Sequence, residues 1–189
     1  MDITLTYAGC LPPRGKSRSG LQAIWNVRNA LSRQLEHFYT TNPVLNPQVA
    51  GGGSNPTRAA AMAARTLIKV EGFDFVALAR PSLGLGCRID MDMLVNHQPG
   101  SIFTHAGDLD NRIKTLFDAL RVPRGKDEIQ HYQPTGDCCY CLMEDDALID
   151  TLAVRMKRLN EAQPDPQFVR LHINVTVRGI TPGFISDVF

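Results

Sequence analysis

The residue pattern predicts a single α+β domain, on three observations. Apolar and polar residues alternate over short stretches near both ends and in the middle of the chain, the two-residue period of half-buried strands. Two longer stretches carry apolar residues at helical spacing. No repeat and no internal boundary interrupts the 189 residues, a length that one core accommodates. Strands mixed with helices in this way predict a mixed β-sheet of about four to six strands with two or three helices packed on it.

Taken in order, Ile3-Thr4-Leu5-Thr6-Tyr7 alternates and reads as a strand, broken by Cys10-Leu11-Pro12-Pro13-Arg14-Gly15. Leu21, Ile24, Trp25, Val27, Leu31, Leu35 and Phe38 then predict an amphipathic helix from about residue 18 to 40. Residues 41–56, with Gly51-Gly52-Gly53 inside, read as a flexible loop, and Thr57 to Ala64 as a short Ala-rich helix. Strands are expected on either side of Glu71-Gly72, at 66–70 and 73–78. Cys87 to Val95 is a clean alternating strand, with Ile89, Met91, Met93 and Val95 on one side and Arg88, Asp90 and Asp92 on the other. After a turn at Gln98-Pro99-Gly100, a helix follows from about 109 to 121, with Ile113, Leu116, Phe117 and Leu120 apolar. Residues 122–138 read as an insertion loop. Ala147 to Leu159 fits strand or helix, and Phe168 to Val177 reads as a closing strand.

Composition excludes little. The hydrophobic fraction of 43% and the charged fraction of 21% are those of an ordinary globular chain. A net charge of +1 requires any nucleic-acid binder to concentrate its cations on one face. Arg14, Lys16 and Arg18 form one such run, and Arg112, Lys114, Arg121, Arg124 and Lys126 another; the alternative is solvated surface. The opening residues lack the basic and apolar regions of a signal peptide, and no apolar run approaches a membrane span. The expected location is the cytoplasm, with the five cysteines reduced.

The densest chemistry lies in Asp108-Leu109-Asp110-Asn111-Arg112-Ile113-Lys114 and in Glu144-Asp145-Asp146. Asp108 and Asp110 flank one residue, so extended backbone aims both side chains to one side. Asn111 can orient a carboxylate or a bound water. Lys114 lies one turn after Asp110 on the same helix face, with Asp118 a further turn along. Converging carboxylates need a cation, usually Mg²⁺, and a lysine beside such a metal points to phosphate-ester chemistry. The same residues also make an ordinary helix start: Asp108 as N-cap, Asp110 facing the helix dipole, Asp110 and Lys114 as an i,i+4 pair, and Asp145-Asp146 as a solvated turn or another N-cap.

Other groups are weaker. Cys138, Cys139 and Cys141 with His131 make a poor zinc half-site by spacing, and Cys141 fits a buried strand better. Cys10 and Cys87 read as core or near-core. Asp90 and Asp92 repeat the D-x-D spacing on a strand face that solvent explains. His97 and His105 read as loop histidines, and Trp25 as core or dimer contact. Gly51-Gly52-Gly53 lacks the lysine of a phosphate-binding loop.

Asp108-Leu109-Asp110-Asn111-x-x-Lys114-x-x-x-Asp118-Ala119-Leu120, followed by Asp145-Asp146-Ala147-Leu148-Ile149, resembles the RusA family of Holliday junction resolvases. The resemblance covers about residues 85 to 178, and more weakly the opening strand and its Leu-Pro-Pro loop. It implies a small homodimeric endodeoxyribonuclease that is Mg²⁺-dependent, with Mn²⁺ as a substitute, and that resolves four-way DNA junctions. Carried over by motif position, Asp108, Asp110 and Asp146 would be the metal carboxylates, with Asp145 the second-choice ligand. Lys114 would be the catalytic lysine, with Asn111 and Asp118 as supporting residues. Apart from the resemblance, Arg14, Lys16, Arg18 and Arg112 of the basic runs are the candidate DNA contacts. The chain departs from the family in the long gap between Asp118 and Asp145, in the longer segment from 40 to 85, and at Arg14-Gly15-Lys16-Ser17-Arg18. Two other readings are open: a branched-DNA-binding protein without turnover, and a metal-dependent nuclease acting on another nucleic acid.

Overall fold

The computed structural model describes residues 1–15, 18–43, 45, 66–96, 109–130, 138–161 and 165–180. Along the chain run β1 (Asp2–Cys10), α1 (Arg18–Thr41), β2 (Leu67–Val70), β3 (Phe73–Ala79), β4 (Leu85–Val95), α2 (Leu109–Leu120), α3 (Lys126–Ile129), β5 (Cys139–Met143), β6 (Ile149–Arg158) and β7 (Phe168–Gly179). The main sheet has the order β1-β7-β4-β6. Its pairs are antiparallel except β4 with β6. A second sheet, β2-β3-β5, stands beside it and is also mixed, with β3 and β5 parallel. The class is the expected mixed α+β. None of the described helices is long and apolar enough to cross a membrane.

Local sequence explains the elements. In β4, Ile89, Met91, Met93 and Val95 are fully buried while Arg88 stays exposed, the alternation of a strand with one covered face. β2 and β3 join through Glu71 (φ 51°) and Gly72 (φ 85°), and two successive left-handed residues are what a tight hairpin turn requires. Between β3 and β4 the 3₁₀ turn Pro81–Leu83 ends at Gly84 (φ 61°), which lets the chain leave one sheet for the other. The long helix α1 ties the two sheets into one domain. Its Ile24, Val27, Leu31 and Leu35 enter the main core. Trp25 packs instead with Phe75, Ala77, Val122, Ile129, Cys139 and Cys141 under the second sheet.

Several expectations resolve or change here. Ala147–Leu159 is a 3₁₀ turn at Asp146–Leu148 followed by strand β6. The stretch read as an insertion loop contains α3 and sends Val122 and Ile129 into the second core. Cys87 is buried, and burial pushes its thiol up to about 12. Cys10 is exposed, because β1 is an edge strand at that end, and its Sγ lies 2.5 Å from Asp165 Oδ2. On α2 the covered face is rotated from the expected one: Arg112, Thr115 and Ala119 are buried with Leu116 and Leu120, while Ile113 and Phe117 are only half-buried. Loop residues 46–56, the short helix expected at 57–64 and the turn at 98–100 lie outside the described residues.

Candidate functional site

The first turn of α2 carries Asp110, where a carboxylate faces the positive end of the helix dipole. Lys114 Nζ reaches Asp110 Oδ2 at 2.5 Å. Their side chains are 48% and 62% exposed, so this is a solvated i,i+4 pair worth a few tenths of a kcal/mol. Asn111 is half-buried, and its carbonyl accepts from the Arg14 backbone N–H at 3.0 Å. Asp108 lies outside the described residues, as do Lys16, His97, His105 and His131; nothing is described of the Arg18 side chain.

Two of the expected DNA contacts have structural roles. Arg112 is 2% exposed and donates to the Pro166 carbonyl, tying α2 to the approach to β7. Its burial, which pushes its pKa down, removes it from any DNA-facing surface. Arg14 is half-exposed and pairs with Asp118 Oδ2 at 2.8 Å. Asp118 does not continue the exposed face of Asp110 and Lys114. It is buried where α1 packs on α2, and its Oδ1 accepts from Arg121 Nη2 at 2.7 Å.

The second acidic group sits after β5. Asp145 Oδ1 accepts from the Ala147 N–H at 3.0 Å, capping the 3₁₀ turn, and Arg124 Nη2 donates to Asp145 Oδ2 at 2.9 Å and Asp146 Oδ1 at 2.7 Å. The Ala147 N–H first, then Asp146 and Arg124, hold the Asp145 carboxyl below the usual carboxylate range. Glu144 points elsewhere and pairs with Arg80.

These two groups stand at opposite ends of α2. The Val122 N–H donates to the Met143 carbonyl just past the helix C-terminus, which places Glu144-Asp145-Asp146 at that end. Asp110 is eleven residues before Arg121, about 16 Å along a helix axis. The sheet gives the same result. Arg112 lies by Pro166, near the end where Val95 pairs with Val169, whereas Asp146 leads into β6 at Ile149, paired with Cys87 at the start of β4. The structure therefore does not bring Asp110 and Asp146 together within one chain. Among the described residues no three His, Cys, Asp or Glu side chains could hold a metal ion together.

The other candidates are accounted for locally. Cys139 and Cys141 are buried in β5. Asp90 pairs with Arg88, and Asp92 with Arg155 and Lys157, on the outer face of the main sheet.

Sequence reasoning missed a buried polar network. Arg121 is fully buried and bridges Asp118 and Glu128. Arg28, 1% exposed, donates to the carbonyls of Asp118 and Arg121, which closes the C-terminal end of α2. The available signal was phase: Arg28 follows Ile24 by four and Trp25 by three, inside the apolar stripe of its helix. Burial pushes the Glu128 carboxyl up, but the Arg121 hydrogen bonds and charge outweigh it, leaving the carboxyl below its ordinary value. A carboxyl lowered on folding stabilises the fold above its unfolded pKa, and that contribution is lost as pH falls through the folded pKa. Trp25, the one tryptophan, donates from Nε1 to the Glu128 carbonyl at 2.7 Å. Acidification below about pH 4 is expected to shift Trp25 emission before the whole chain unfolds, and Glu128→Gln to remove that step. Emission that stays flat until global unfolding would refute this.

No family model, curated protein or solved structure matches the chain.

Proposed function

We propose that this chain is a Mg²⁺-dependent, structure-selective endodeoxyribonuclease of the RusA type, acting as a homodimer on four-way junctions or other branched DNA. One observation carries the reading. Asp110-Asn111-x-x-Lys114 lies in the first turns of a helix after a central strand, with Asp108 two residues ahead in the sequence, and Asp145-Asp146 stands directly ahead of the strand parallel to that central strand. The hard carboxylate donors favour Mg²⁺, with Mn²⁺ as a substitute. Within one chain, the described donors at the two ends of α2 do not fit a single ion. The reading therefore needs Asp108 beside Asp110, or Asp145-Asp146 supplied by a second copy; a two-fold dimer presents each acidic group twice. Lys114 is the exposed cation beside Asp110, placed to meet a phosphate oxygen. The same reading gives the protein a role in DNA recombination or repair and takes its location as the cytoplasm.

A specific observation favours a second reading, a branched-DNA-binding protein without turnover: Asp145 and Asp146 are held by Arg124, and neither shares a site with Asp110. A third, a nuclease acting on another nucleic acid, rests on the segments that depart from the family. Labelled four-way junction, flap, duplex and RNA hairpin, each incubated with and without Mg²⁺, separate the three. Metal-dependent cutting of branched DNA is expected. Binding without cutting in Mg²⁺ or Mn²⁺ selects the second reading, cutting of RNA alone selects the third, and neither binding nor cutting removes all of them.

A further inference from the structure

A cavity of about 470 Å³ lies between the first turns of α1, the loop at residues 14–15, Asp118 and α3, with none of Asp110, Lys114, Asp145 and Asp146 in its lining. That volume is in the range of small-molecule sites. Leu21, Ile24 and Trp25 give it apolar walls, and Arg28, Asp127 and Glu128 supply polar groups. The Arg28 guanidinium lies over the Trp25 ring, 4.2 Å from its centroid. Among the described residues its Nε has no hydrogen-bond partner, although the side chain is 1% exposed. Asp118 and Glu128 are engaged by Arg14 and Arg121 and leave Arg28 without a carboxylate in ion-pair reach among the described residues. A buried donor left unmade is costly, and the Arg28 side chain is part of the cavity lining.

We propose that this cavity binds a nucleobase. A flat heterocycle matches the apolar walls, its ring acceptors suit the Arg28 donor, and its amino N–H groups suit the carboxylate of Asp127. Arginine to ring O and N acceptors, and carboxylate to amino groups, are the pairings that side chains make with bases. Guanine carries an acceptor edge and a donor edge and is the best match of the four. The base can come from a free nucleotide or from a DNA strand that has swung one base out of its stack. The inference does not depend on the nuclease reading, because binding is measured without cutting.

Trp25, the one tryptophan, lines the cavity, so its emission reports occupancy directly. The full chain is titrated with dGMP, dAMP, dCMP and TMP, with deoxyribose 5-phosphate and inorganic phosphate as probes lacking a base, and with a single-stranded and a duplex oligonucleotide. A saturable change with dGMP is expected, at least about tenfold tighter than with either base-free probe. Leu21→Phe, which narrows the cavity, and Asp127→Asn at the exposed Asp127 are each expected to weaken dGMP several-fold. Both leave the Arg28 contacts with α2 in place. Saturation by dGMP but not by the single strand assigns a free nucleotide; saturation by both assigns a strand's base as well, and either supports the site. No response to any nucleotide at millimolar concentration, an equal response to the base-free probes, or a dGMP response unchanged by both substitutions overturns the proposal.

Discussion

Asp110→Asn is expected to lower Mg²⁺-dependent cutting of a four-way junction by about 10²–10³-fold, the size of effect that follows loss of one charge-positioning group from an active site, while junction binding stays unchanged. The structure makes this a clean experiment. Asp110 is 62% exposed and makes a solvated pair with Lys114, so the substitution costs a few tenths of a kcal/mol of stability at most. A loss of activity on that scale cannot then be unfolding. Asp146→Asn is expected to act in the same direction, with Asp145 left to hold Arg124. Unchanged cutting by Asp110→Asn would remove the nuclease reading in its present form.

The separation of the two acidic groups adds a sharper expectation. Asp110 and the Asp145-Asp146 pair lie at opposite ends of a helix that spans about 16 Å between Asp110 and Arg121. If they act together, they do so across a two-fold axis. An Asp110→Asn chain and an Asp146→Asn chain, each inactive alone, should then regain cutting when co-expressed and purified as a mixed dimer, because one of the two sites receives both native acids. Mixed dimers as inactive as their parents, beside an active wild type, would show that no such exchange operates.

The contrast between what could and could not be read beforehand has a physical origin. β4 and β7 were legible because a strand with one covered face writes its period into adjacent residues. α1 was legible for the same reason at helical period. Residues 147–159 stayed ambiguous because Val154 and Met156 are only half-buried on an edge strand, so neither period is enforced strongly. The candidate site was legible as residue types but not as a place. Whether Asp110 and Asp146 meet depends on which way α2 runs against β4 and on where β5 delivers the chain, and both are set by long-range packing. Arg112 and Asp118 show the same limit from the other side: in the sequence they belong to a charged motif, and in the fold they are buried ties.

Asp118→Ala is expected to cost about 3–5 kcal/mol, the range for removing one partner of a buried ion pair. Asp118 has an 8% exposed side chain and accepts from Arg121 on one oxygen and Arg14 on the other. Arg121 is fully buried, and without Asp118 its charge is left to Glu128 alone. The consequence reaches further than one pair, because Arg28 and Arg121 close the C-terminal end of α2 and Glu128 fixes α3 beneath Trp25. Urea unfolding should show a midpoint lowered by about 1.5–3 M at a slope near 1.5–2 kcal/mol/M, with the slope itself little changed. Replacing Asp118, Arg121 and Glu128 together by Leu, Met and Gln should recover much of the loss, since well-packed neutral residues can substitute for a buried ionic group whereas a lone charge cannot be left behind. This outcome also separates the role found here from the one its motif position implies. A residue supporting catalysis would lose cutting at unchanged stability. Asp118 is expected to lose stability first, and an Asp118→Ala chain as stable as wild type would return it to the site.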